Sequence, residues 1–201
     1  MKIQLKTYLE VEDLQRQLAA YLGSQVRSRN FMPTRGSRVL FLEVSPVSAT
    51  ERLIDAVFKS AAPVELARQG GVLELHAQDT RALTKVVTLL TKLSGSDMEA
   101  SEPPQAGYVD LIEELSDRHA IMLNSARRGS PLAPGDSLLI YEVSPAPFAV
   151  LLANEIEKKH PELVLVDLQE VGKMGRIYLS GSRDQLQKAR QQMERVLKKA
   201  S

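Results

Sequence analysis

The chain has 201 residues, with 26 Lys and Arg against 25 Asp and Glu, a formal net charge of +1, 43% hydrophobic residues and no cysteine. That length suits one large domain or two small ones. Balanced charge, five tyrosines, four phenylalanines and no tryptophan give neither a field for a phosphate backbone nor base-stacking platforms. The missing thiols exclude disulfides, cysteine nucleophiles and cysteine-held zinc or iron–sulfur sites.

Met1-Lys2-Ile3-Gln4-Leu5-Lys6 lacks the apolar core of a signal peptide, and no apolar run approaches the ~18 residues needed to span a bilayer. A cytoplasmic location, with no membrane and no nucleic acid as partners, is the expectation. The stretch from Val11 to Leu22 reads as a helix. Residues 38–44 are short and dense in branched apolar side chains, as in a buried strand, and Ser45-Pro46 stops them. Leu53, Ala56, Val57 and Ala61 mark one helical face, with Thr50 as a cap. A strand is expected at 71–76, followed by an amphipathic helix through Leu83, Val86, Val87, Leu90 and Leu93. Residues 96–104, small, acidic and proline-ended, read as a linker.

The same series then returns. Leu40-Phe41-Leu42-Glu43-Val44-Ser45-Pro46 recurs as Leu139-Ile140-Tyr141-Glu142-Val143-Ser144-Pro145 at an offset of 99, which Gly36/Gly135, Leu53/Leu152 and Lys59/Lys158 share. A helix-like stretch from Val109 to Leu123 precedes the repeated strand at 138–143. After it come a helix through Phe148, Leu151, Leu152 and Ile156, a strand at 175–180, and a helix through Leu186, Ala189, Met193, Val196 and Leu197. Gly71-Val72-Leu73-Glu74-Leu75 pairs with Gly175-Arg176-Ile177-Tyr178-Leu179 at an offset of 104, so about five residues are added between helix and strand in the second copy. The chain reads as a tandem duplication of an α+β unit with helices over an antiparallel sheet, one copy at 1–95 and the other at 105–201.

Chemistry is sparse. His76, His119 and His160 fall in no metal-ligand spacing, and no phosphate-binding P-loop or serine-nucleophile elbow occurs. The carboxylate pairs Glu113-Glu114 and Glu155/Glu157 lie on expected helices, where a solvated face is the plain reading. No metal, no cofactor and no catalytic set is expected, so the chain does not read as an enzyme. Two glycine loops remain, Ala67-Arg68-Gln69-Gly70-Gly71 and Val171-Gly172-Lys173-Met174-Gly175, each with one cation ahead of a strand. Taken alone, they are also compatible with ordinary turns carrying an incidental surface charge.

Asp55-Ala56-Val57-Phe58-Lys59-Ser60-Ala61 and Ala153-Asn154-Glu155-Ile156-Glu157-Lys158, each followed by a strand, a glycine loop and a strand, resemble the bacterial microcompartment shell domain. Leu5-Lys6-Thr7-Tyr8, the run Leu14 to Gly23, Phe31-Met32-Pro33, Glu43-Val44-Ser45-Pro46, Leu123-Asn124, Arg127-Arg128-Gly129 and Gly175-Arg176 look like the tandem, circularly permuted shell proteins of carboxysomes. The resemblance covers nearly the whole chain and implies two permuted, ferredoxin-like domains. It implies further that three chains form a pseudohexameric tile, that tiles pack edge to edge with other shell proteins, and that two trimers are able to stack.

The family's edge lysine matches Lys59 and Lys158, which on their own also suit the last turn of a helix facing its dipole. The pore loops match Ala67, Arg68, Gln69 and Gly70 in copy one and Gly172, Lys173, Met174 and Gly175 in copy two. Gated members carry a Glu-Arg pair in the first loop; here Ala67 replaces the glutamate. Three Arg68 side chains around a threefold axis, with no carboxylate in the loop, would repel by on the order of a kcal/mol per pair. The resulting expectation is a cationic pore that passes or holds anionic metabolites. A trimeric regulatory module binding a small molecule, and an enzyme with a site between the domains, are the competing readings.

Overall fold

The duplication is visible in the backbone. The computed structural model describes residues 3–25, 32–95, 102–126 and 130–200 and divides the chain into two units, Met1–Glu102 and Pro103–Ser201. The first comprises β1 (Gln4–Val11), α1 (Arg16–Gln25), β2 (Arg38–Ser45), α2 (Ala49–Lys59), β3 (Glu65–Gln69), β4 (Val72–Ala77) and α3 (Thr80–Ser94). The second repeats the order as β5 (Gln105–Ile112), α4 (Asp117–Ala126), β6 (Ser137–Ser144), α5 (Phe148–Lys159), β7 (Val164–Val171), β8 (Met174–Gly181) and α6 (Arg183–Ala200). Each unit holds one four-stranded antiparallel sheet, ordered β1-β2-β4-β3 and β5-β6-β8-β7. The architecture is the α+β one expected from the sequence.

Strand alternation sorts side chains onto two buried faces. In the first unit Leu40, Leu42 and Val44 of β2 and Leu73, Leu75 and Ala77 of β4 pack with Leu53 and Val57 of α2 and Leu83, Val86 and Leu90 of α3. The other face of the second unit's sheet has its own cluster: Leu138, Val166 and Tyr178 gather with Leu115, Leu132 and, less buried, Leu123 of α4. The sheet is covered on both sides, which is why its central strands read as nearly continuous apolar runs.

Two helices begin later than their periodicity suggests. The spacing of Val11, Leu14, Leu18 and Leu22 is helical, yet Val11 ends β1 and α1 starts at Arg16. Asp13 has φ 54° and Glu114 φ 48°, and these left-handed residues turn the chain from strand to helix in each unit. The stretch from Val109 to Leu123 divides likewise into β5 and α4. Thr50 lies inside α2 rather than capping it, and its hydroxyl donates to the Val47 carbonyl at 2.7 Å.

Candidate functional site: the two hairpin turns

The hairpins β3–β4 and β7–β8 hold the residues singled out as pore-lining. In the first, Gln69 pairs with Val72, so the turn is only Gly70-Gly71. Ala67, Arg68 and Gln69 therefore belong to a strand, not to the expected loop, because their backbones complete the edge ladder against β4. The Gln69 side chain lies outside the described residues. In the second, Val171 pairs with Met174 and the turn is Gly172-Lys173; Met174 and Gly175 belong to β8. Gly70 (φ 58°) and Gly172 (φ 63°) supply the positive φ at the first turn position, which a two-residue hairpin of this kind requires.

Register shows where the extra residues of the second copy lie. Glu43 pairs with Val72 and Glu142 with Arg176, so Val72 and Arg176 are equivalent. Arg68 pairs with Leu73, and Leu168 with Ile177, which makes Leu168 the counterpart of Arg68. None of the added residues lies in the helix-to-strand connection. One is absorbed by the register shift between Leu165 and Asp167, and the others lengthen the hairpin through Glu170, Val171, Met174 and Gly175. The second turn thus extends about 7 Å farther than the first, at ~3.3 Å per residue over two residues on each strand. Arg68 and Lys173 are not equivalent: one is on a strand flank, the other at a turn tip.

Their electrostatics differ as well. The guanidinium of Arg68 pairs with Glu51 in the first turn of α2, and its Nε donates to the Gly70 carbonyl at 3.1 Å. The carboxylate that Arg68 pairs with comes from α2 and not from its own hairpin. Lys173 is exposed at its tip and makes no ion pair among the described residues.

Behind the longer turn, Arg176 reaches Glu142 Oε1 through Nη2 at 2.5 Å and Nε at 2.7 Å, and Nη1 meets the Tyr178 hydroxyl at 3.3 Å. The Tyr178 contact and then the Glu142 carboxylate hold the guanidinium pKa above its ordinary value. Gly175 is required by close approach: a Cβ there would overlap the Ala146 carbonyl oxygen and lie 2.6 Å from Ala149 Cβ.

Lys59 ends α2 with its side chain 75% exposed, 2.6 Å from Asp55; Lys158 lies in the last turn of α5, 29% exposed and 2.9 Å from Glu155. Each ammonium group pairs with a carboxylate one turn back, at equivalent places in the two units. Among the described residues, no group of three or more His, Cys, Asp or Glu could hold a metal ion.

Comparisons with known proteins bear on this geometry. Residues 5–99 match the model of the CsoS1D N-terminal domain. The carboxysome shell protein CsoS1D of Prochlorococcus marinus subsp. pastoris is 31% identical over 193 residues, covering 94% of this chain and 74% of that protein. The chain belongs to the CsoS1D family of carboxysome shell proteins. Two solved shell proteins of the RMM microcompartment share the fold of this CsoS1D-family chain. The double-ringed trimeric MSM0271 is 39% identical with a TM-score of 0.86, covering 98% of this chain and 97% of its own. The fused permuted hexameric MSM0275 is 29% identical with a TM-score of 0.82, covering 96% of each.

This CsoS1D-family chain is accordingly a structural shell protein with two tandem shell domains, and its relatives are shell components rather than enzymes. No helix among the described residues is long and apolar enough to cross a membrane.

Two side chains with structural contacts around these features were not singled out from sequence. Glu51 became relevant only when β3 folded back beside α2, although an acidic residue in a helix's first turn was visible. Asn124, quoted only as part of a resemblance, clamps the chain beyond α4: its Nδ2 donates to the Leu132 carbonyl and its Oδ1 accepts from the Leu132 amide, both at 2.8 Å. The expected linker residues 96–101, Phe31 and Arg127-Arg128-Gly129 lie outside the described residues.

Proposed function

We propose that three copies of this chain form a pseudohexameric trimer, that the trimer tiles a microcompartment facet with other shell proteins, and that the hairpin turns surround a central passage for metabolites. Duplication of one sheet-and-helix unit carries the reading. Two similar units in each of three chains give six similar positions around a threefold axis, which closes a ring with no unsatisfied edge. The double-ringed trimeric shell protein MSM0271 supports the same arrangement, and stacking of two such trimers is part of the proposal.

In this tile the passage is built from two kinds of hairpin. The first copy contributes Ala67, Arg68, Gln69 and Gly70; the second contributes Gly172, Lys173, Met174 and Gly175. Glu51 neutralises Arg68, so the positive character of the passage rests on three Lys173 side chains at the longer turns. A ring of cations favours anionic metabolites such as phosphates and carboxylates. Lys59 and Lys158 form the tile edge, one from each copy, where their side chains lie along neighbouring tiles.

The test uses sedimentation and negative-stain microscopy of the full chain. Wild type sediments as a trimer or a pair of trimers and forms hexagonal layers when concentrated. Lys59→Ala and Lys158→Ala keep that mass and lose the layers. A monomer, or layers unaffected by both substitutions, refutes the tile. Shells carrying Lys173→Glu should admit anionic solutes more slowly than wild-type shells, and equal rates remove the cationic passage.

A further inference from the structure

The two copies share a β-bulge and use it differently. In β1, Lys6 and Thr7 oppose Glu43, and Thr7 is buried with its hydroxyl donating to Glu43 Oε2 at 3.1 Å. In β5, Gly107 and Tyr108 oppose Glu142, and Tyr108 is 57% exposed with its hydroxyl donating to Asp110 Oδ2 at 2.9 Å. A bulge re-aims a side chain while the strand stays in its sheet. Here it turns an aromatic ring outward at the place where the first copy buries a small hydroxyl.

The longer hairpin ends beside this bulge. A Cβ on Gly107 would lie 2.5 Å from Met174 Cε and 3.2 Å from Glu142 Cβ, so the glycine leaves the space that the Met174 thioether fills. Val171, paired with Met174 across the turn, is 50% exposed. Both lie on the extension that the first hairpin lacks, with Lys173 between them in the chain. The bond to Asp110 first, and the charge of Glu142 among lesser causes, raise the Tyr108 pKa, which sets the phenol on the Glu142 side of the sheet. Asp110 accepts from Tyr108 and Glu142 from Arg176, so both carboxylates at the base of this surface are engaged, whereas Lys173 at its tip makes no ion pair among the described residues. A hairpin needs neither an exposed valine beside its tip nor an aromatic ring turned outward from the next strand, and each keeps apolar surface in water.

We infer that the tip of the second hairpin binds a monocarboxylate with a short apolar tail, its carboxylate at the Lys173 ammonium and its tail on Val171, Met174 and Tyr108. An inorganic anion satisfies the lysine and leaves the apolar surface wet; an uncharged aliphatic compound does the converse. The inference narrows the class of metabolite for the proposed passage and rests on that reading for its role there, while the binding surface itself belongs to a single unit.

The test titrates hexanoate, acetate and inorganic phosphate into the full chain with isotopically labelled methionine methyl groups, the Met174 signal being assigned by its loss in Met174→Leu. Hexanoate should move that signal with a dissociation constant in the low millimolar range, about tenfold below that of acetate, because its additional methylene groups leave water. Phosphate should bind no more tightly than acetate. Val171→Ser should weaken hexanoate about fivefold and leave acetate unchanged, Lys173→Gln should weaken both, and Arg68→Gln on the first hairpin should change neither. Circular dichroism confirms that these substitutions leave the fold intact. Equal affinities for hexanoate and acetate, tighter binding of phosphate than of hexanoate, or a Met174 signal unmoved at about 0.1 M hexanoate overturns the inference. Indifference to Val171→Ser or to Lys173→Gln overturns it too. Sedimentation of the same samples separates the two readings: a trimer without preference for hexanoate refutes this inference and leaves the passage, and a monomer that prefers hexanoate refutes the passage and keeps the binding surface.

Discussion

Gly175→Ala tests whether the longer hairpin is built by the close approach seen at the start of α5. An added Cβ meets the Ala146 carbonyl oxygen, lies 2.6 Å from Ala149 Cβ and 3.1 Å from the Ala146 carbonyl carbon. Ordinary Cβ contacts begin at 3.4 Å, so the Ala149 contact alone demands a displacement of roughly 0.8 Å. Backbone and a fully buried Ala149 oppose it, and neither relaxes by changing rotamer. Overpacking of this kind costs about 3 kcal/mol, reduced by less than ~1 kcal/mol through the stiffer unfolded chain.

Gly71→Ala is the matched control. Its Cβ would sit 3.3 Å from the Val44 oxygen and 3.3 Å from Val47 Cγ2, and the Val47 side chain is 49% exposed and free to shift. Its net cost should stay within ~1 kcal/mol. Urea unfolding followed by far-ultraviolet circular dichroism should lower the midpoint by about 1 M or more for Gly175→Ala and by less than half of that for Gly71→Ala. Equal midpoints for the two variants would refute the packing argument.

Other substitutions have separate outcomes. Asn124→Ala removes both bonds of the Leu132 clamp and should cost about 1–3 kcal/mol in the same assay. Tyr141→Phe should be neutral or stabilising, because the Tyr141 hydroxyl is fully buried and has no hydrogen-bond partner among the described residues; a loss above ~1 kcal/mol contradicts this. Burial, followed by repulsion from Glu194, raises the Tyr141 pKa above its usual 10.0. Ionisation of this group therefore leaves stability unchanged below pH 10 and lowers it as pH rises from there through the folded pKa, which titration of phenolate absorbance against unfolding midpoints checks. Arg68→Ala should change stability by less than ~1 kcal/mol, since its pair with the exposed Glu51 is partly screened by solvent.

The duplication, the central strands and the four longest helices were legible because buried strands and amphipathic helices leave strong periodic patterns. β1 and β5 were not. Their edge positions in the sheets keep only part of each strand apolar, and the apolar spacing from Val11 onward favours a helix until the left-handed Asp13 intervenes. β3 was implied only by the family resemblance and not by periodicity: Glu65-Leu66-Ala67-Arg68-Gln69 has little β propensity and gains its conformation from pairing with β4. At the candidate site, residue types were readable and register was not. The two glycine runs look equivalent in sequence, whereas backbone pairing makes Arg68 the counterpart of Leu168 and leaves Lys173 on an extension unique to the second copy. Pairing of Arg68 with Glu51 is a tertiary contact, and no local pattern encodes it.

The most direct measurement of the central claim is a cryo-electron microscopy reconstruction of the purified full chain. The account predicts a threefold ring of six similar units with Gly70-Gly71 and Gly172-Lys173 turns alternating about the axis and Lys59 and Lys158 on the rim. A monomer, or a ring with those turns at its outer edge, would contradict it.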